Sequence, residues 1–132
     1  MAHLISFRTA RFDVSREKPN DINPIAGQSV LLWLRDELAK AHYQVTEPET
    51  EDWGWYIDVV GAEASYLVGA SADATDTTPS VEWIVQVHKN RSLKDKVLGR
   101  NKMAADDPLF TFIERLVRAD RRIEQIDVTR DA

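Results

Sequence analysis

The sequence predicts an α+β fold: a two-layer sandwich with an antiparallel sheet of about four to five strands and two amphipathic helices on one face. Three observations carry this. Three segments between residues 53 and 88 alternate apolar and polar residues and are joined by short, turn-rich connections. That is the pattern of an antiparallel sheet with one covered face. Two other segments, one beginning at Asn23 and one at Asp107, place apolar residues at helical spacing. The resulting order is β-α-β-β-β-α with a short last strand, so both helices find a sheet to cover. The 132 residues suit a single α+β domain spanning 1–132.

The first strand is "LISFRTARFDV", Leu4 to Val14. Its phase is inconsistent: Ile5 and Phe7 share one parity, Ala10, Phe12 and Val14 the other. One register cannot bury both sets, so a bulge or bend is expected near Arg8 to Arg11. The polar "SREKPNDINP" reads as loop. The first helix is expected to start at Asn23, a good N-cap, with Pro24 in the first turn, and to run to about His42. Val30, Leu31, Leu34, Leu38 and Ala41 form its apolar stripe. Gly27 would cost roughly 1 kcal/mol inside that helix.

In "WGWYIDVV", alternation puts Trp53, Trp55, Ile57 and Val59 on one face and Gly54, Tyr56 and Asp58 on the other. The expected reading is that the tryptophans are core and Tyr56 and Asp58 face outward. Gly54 between them suggests a bulge or a close backbone approach. "SYLVGASA" and "VEWIVQVH" alternate in the same way, separated by the turn-rich "DATDTTPS". Leu93, Val97 and Leu98 could form a short helical face that Gly99 and Asn101 would end. Asp107 caps the last helix and Pro108 opens it, with Leu109, Phe112, Ile113, Leu116 and Val117 as its stripe. "IEQIDV" is expected to form a short final strand.

Net charge is -5, but the charges are segregated. Residues 44–82 hold nine acids and no Lys, Arg or His, so nothing within that window can pair with them. Residues 83–105 hold six Lys or Arg against the single acid Asp95. Such asymmetry speaks to partners rather than to fold. Cysteine is absent, which removes disulfides, thiolate metal sites and a cysteine nucleophile. No apolar run of signal-peptide length opens the sequence, and no segment approaches the ~20 apolar residues of a membrane span. The expectation is a cytoplasmic protein of bacterial type that does not engage membranes.

No motif assigns a chemistry. His3, His42 and His88 are far apart, which argues against a transition-metal site. "DATDTT" offers carboxylates and hydroxyls to calcium but lacks the spaced loop and distal Glu of a calcium hand. "GASAD" lacks the second glycine and the following helix of a nucleophile elbow, so Ser71 reads as a strand serine. No phosphate-cradling glycine motif is present. No catalytic residue, metal or cofactor is expected, and an enzyme of unknown reaction ranks third among the readings.

Two surfaces remain. The acidic one comprises Glu47, Glu49, Glu51, Asp52, Tyr56 and Asp58, and would meet a basic partner protein. The alternative is phosphate or nucleic-acid binding by Lys89, Arg91, Lys94, Lys96, Arg100 and Lys102. It ranks lower because that stretch has no aromatic for base stacking and the chain is acidic. The layout of an amphipathic helix, "ETEDWGW" and a following meander, over residues 25 to 72, is similar to some toxin-immunity-like α+β domains of small bacterial proteins. The resemblance implies a binding role of inhibitor or immunity type and carries over no functional residues.

Overall fold

Period-two alternation builds the sheet, and the helices close it on one side. In the computed structural model, which describes residues 2–130, the strands are β1 (His3–Thr9), β2 (Ile25–Ala26), β3 (Gln44–Val45), β4 (Glu49–Glu51), β5 (Gly54–Val60), β6 (Ser65–Asp73), β7 (Val81–Lys89) and β8 (Ile123–Thr129). The helices are α1 (Gln28–Lys40), α2 (Leu93–Leu98) and α3 (Pro108–Ala119). The main path across the sheet is β3-β5-β6-β7-β1-β8, with β2 added to β6 and β4 to β5, all antiparallel. The class is α+β as read from the sequence. The strand count is eight rather than about five, because β2, β3 and β4 are too short to show a pattern.

One sheet face is the core. Phe7 pairs with Trp83, and Ile5, Val85 and Ala70 lie side by side across β1, β7 and β6. Helix α1 adds Val30, Leu31, Leu34 and Leu38, and α3 adds Leu109, Phe110, Ile113 and Val117, all fully buried in the same cluster. Burying each such side chain is worth about 1.5–3 kcal/mol. Phe112 and Leu116, expected in the α3 stripe, are half-buried against this cluster, and Phe110 takes the deeper place. The α3 start is as read: Asp107 accepts from the Leu109 and Phe110 amides, and Pro108 opens the helix. The final strand forms as β8, paired with β1. The first strand ends at Thr9; the chain bends at residues 10–12 and returns Phe12 to the core beside Trp33 and Trp83.

Two expectations need correction. Helix α1 starts at Gln28, and its cap is not Asn23. Residues 25–26 pair with β6 instead, and the amides of Gly27, Gln28 and Ser29 donate to the Glu17 carboxylate at 2.9 Å each. Gly27 is the N-cap with extended backbone, so the interior-helix cost does not arise. Its lack of a side chain matters for another reason: a Cβ there would lie 2.3 Å from the Ala70 carbonyl oxygen. The second correction is Trp53. It does not continue the alternation of Trp55, because Asp52 and Trp53 form the two-residue turn between β4 and β5, and Gly54 takes φ +151°. Trp55 is core, with its indole N–H on the Ile25 carbonyl at 3.2 Å. Trp53 goes to the other side of the sheet.

Candidate functional site

The second sheet face carries the candidate site. Alternation sends Leu4, Ser6 and Arg8 of β1, Tyr56 and Asp58 of β5, Leu67, Gly69 and Ser71 of β6, and Glu82, Ile84, Gln86 and His88 of β7 away from the core. Among the described residues no helix covers them. Helices α1 and α3 bury their stripes in the core opposite, and α2 buries nothing. Ile84 in the middle of β7 is 41% exposed.

Trp53 lies on this face because its turn is pinned. Asn20 Nδ2 donates to the Glu51 and Gly54 carbonyls at 3.1 Å, and Asn23 Nδ2 to the Asp52 carbonyl at 2.6 Å. The indole then lies over Gly69: a Cβ on Gly69 would come within 2.5 Å of the ring. Beside it runs a groove of about 560 Å³, lined by Trp53, Ser71, Ile84 and Arg8 and walled by Asp73, Asp76 and Glu82. Asp73 accepts from the Thr75 hydroxyl at 2.6 Å and amide at 2.9 Å, and Asp76 accepts from Thr78 in the same manner. These bonds, the hydroxyl's first, hold both carboxyls below the usual carboxylate range. The Thr75 and Thr78 hydroxyls of "DATDTT" are thus turned to carboxylates of their own segment. Among the described residues no three His, Asp or Glu converge as a metal site.

The predicted acidic residues divide. Glu49 and Glu51 of β4 face the same way as Tyr56 and Asp58, and the Tyr56 hydroxyl donates to Glu49 Oε2 at 2.8 Å. That hydrogen bond, with the charges of Glu49, Asp58 and Glu51, raises the phenol pKa. Asp52 stands in the turn beside Trp53. Glu47 does not join them: its carboxylate pairs with Arg35 of α1. The absence of cations between residues 44 and 82 therefore does not leave every acid unpaired, since α1 supplies one from outside the window. Trp53, Ile84, Asp73, Asp76 and Glu82 are not among the partner-binding residues expected from the sequence, although the three acids belong to its acidic block. The signal for Trp53 lies in "DWGW": Gly54, expected at a bulge or close backbone approach, follows the turn at which the chain changes face.

The basic stretch folds into a separate feature. Ser92 and Asp95 form a capping box that starts α2, and Gly99, at φ +67°, ends it. Lys89, Arg91, Lys96 and Lys102, with His88, Asn90 and Met103, line a cavity of about 570 Å³. Lys94 lies on the outward side of α2 and Arg100 follows it, its carbonyl accepting from Arg91 Nε at 3.0 Å. Among the described residues none of the six cations forms a salt bridge. Asp95 is engaged with Ser92 and Asn101. His88 is half-buried, its ring 3.0 Å from the Gln86 amide oxygen, and burial lowers its pKa.

Among the described residues no helix is long and apolar enough to cross a membrane. Comparison with protein-family models, with curated proteins and with solved structures returns no match, and the likeness to immunity-type domains gains no support from them.

Proposed function

We propose that this protein is a binding protein that takes a basic partner protein on its uncovered sheet face. The observation that carries the reading is the acidic groove beside Trp53. An indole held over Gly69 borders a groove lined by Arg8 and walled by three carboxylates, and Glu49, Glu51 and Asp58 extend the negative field along the same face, with the neutral Tyr56 among them. A Lys or Arg side chain entering the groove would meet carboxylates and could stack on the indole, a cation–π contact worth about 0.5–2 kcal/mol. Ile84 supplies apolar contact, and the surrounding acids would steer the encounter. An inhibitor or immunity-type role fits such a face.

The test compares proteins captured from the native host by three forms of the chain. One is wild type. The second carries Glu49→Gln, Glu51→Gln, Asp58→Asn, Asp73→Asn and Glu82→Gln. The third carries Lys89→Gln, Lys94→Gln, Lys96→Gln and Lys102→Gln. A basic protein held in stoichiometric amount by the first and third forms and lost from the second is the expected result. A partner lost only from the third form would contradict the proposal.

A further inference from the structure

Helix α2 turns its apolar side chains to solvent. An amphipathic helix on a folded domain normally turns its apolar side to the core. Here Leu93, Val97 and Leu98 are 79%, 76% and 56% exposed, and the half-buried residue of the helix is Asp95, held by Ser92 and Asn101 of its own segment. Leu93 and Val97 are one turn apart and share a side, and Lys94 lies between that side and Leu98. A single exposed leucine needs no explanation. Three exposed aliphatic residues on one short helix form a patch, and patches mark contact sites.

The charges around the patch add a second observation. Lys89, Arg91, Lys96 and Lys102 converge on one cavity, Lys94 and Arg100 flank it, and among the described residues none of the six has a salt bridge. Protruding aliphatic side chains ringed by cations that make no salt bridge among the described residues match a surface that is anionic outside and hydrocarbon within. We infer that residues 89–102 dock this protein on an anionic phospholipid surface. Lys89, Arg91, Lys96 and Lys102 take the lipid phosphates, and Leu93, Val97 and Leu98 enter the acyl boundary.

A nucleic acid would use the cations but leave the aliphatic residues in water, and the stretch offers no aromatic for its bases. The sequence expectation of no membrane contact rested on the absence of a spanning segment. Surface docking needs none. Nor does the net charge of -5 oppose it. Glu82 and the nearby Asp73 and Asp76 stand at the opposite end of β7 from Lys89, roughly 24 Å away at about 3.4 Å per residue. That exceeds a screening length of about 8 Å at physiological salt several-fold. Asp58 and Glu63 are nearer, and the six cations outnumber them.

This inference uses a different end of the molecule and does not rest on the proposed function. Its test is co-sedimentation with vesicles of phosphatidylcholine alone or with about one-third phosphatidylserine, where each Lys or Arg near an anionic surface tightens binding by about fivefold. Wild type should pellet with the anionic vesicles only. Lys89→Gln/Lys96→Gln/Lys102→Gln should weaken this by about 100-fold. Leu93→Ser/Val97→Ser/Leu98→Ser should weaken it by roughly tenfold or more, since the apolar side chains no longer leave water. All three apolar sites are exposed, so the fold should survive, and circular dichroism checks it. The acid-neutralised variant above should bind vesicles at least as well as wild type, although it loses the basic partner. Failure to pellet with anionic vesicles would overturn the inference, as would pelleting that the serine variant leaves unchanged. Inorganic phosphate binding through the same lysines, without vesicle binding, would also overturn it and point to a soluble phosphate ligand.

Discussion

Glu17 shows how much one distant side chain can decide. Its carboxylate accepts three amide hydrogens at the start of α1 and also the Ser29 hydroxyl. A negative charge there satisfies orphan N–H groups and meets the positive end of the helix dipole. Glu17→Ala should therefore cost about 1–3 kcal/mol, read from the urea midpoint. Asn23→Ala should cost less, because its side chain only ties a turn carbonyl at the surface. A larger loss at Asn23 would contradict this assignment of the cap. The sequence invited the wrong choice because Asn-Pro is a local helix signal, whereas the true cap comes from a loop ten residues upstream of Gly27. Trp53 was misplaced for a related reason. Parity assumes an unbroken strand, and the turn at residues 52–53 breaks it.

Elements whose signals are local were legible. Asp-Pro marks the start of α3, the alternation of β6 and β7 reappears in their burial, and β8 coincides with a short apolar-polar run. Elements of two or three residues were not, since pairing partners far along the chain define them. The junction of α3 with β6 also makes a pH prediction. The buried Tyr66 hydroxyl donates to Asp107 at 3.0 Å, while Asp107 caps α3. Burial first, then the Asp107 charge, pushes the phenol pKa up. The native state thus keeps a proton that the unfolded chain releases near pH ~10, so stability falls as pH rises through that value. On the acid side, a hydrogen bond from Arg122, with the charge of Arg11, holds Asp120 below the usual range, and burial lowers His88. In both cases the unfolded chain binds the proton first. Stability should therefore fall below pH ~6.5 through His88 and again below pH ~4 through Asp120. Urea midpoints across pH should show both limbs, and Tyr66→Phe should flatten the alkaline one. An alkaline limb equally steep in Tyr66→Phe would contradict the Tyr66 assignment.

At the scale of the whole molecule, the two charge blocks of the sequence become two regions of one sheet. Strand β7 carries the chain from Glu82, beside the acidic groove, to Lys89, beside the basic cavity. The segregation was readable in the sequence. Its consequence in space was not, because it depends on β4, β5, β6 and β7 pairing so that Glu51, Asp73 and Glu82 gather toward one end. The central claim is that this acidic, uncovered face, with Trp53 in it, receives the partner. The most direct measurement is a titration of the ¹⁵N-labelled protein with the captured basic protein, following the Trp53 indole N–H and the backbone amides by NMR. The account predicts that the Trp53 indole signal and the amides of Tyr56, Ser71 and Ile84 shift together, while those of residues 89–102 stay in place. Shifts confined to residues 89–102, with the Trp53 indole unmoved, would contradict it.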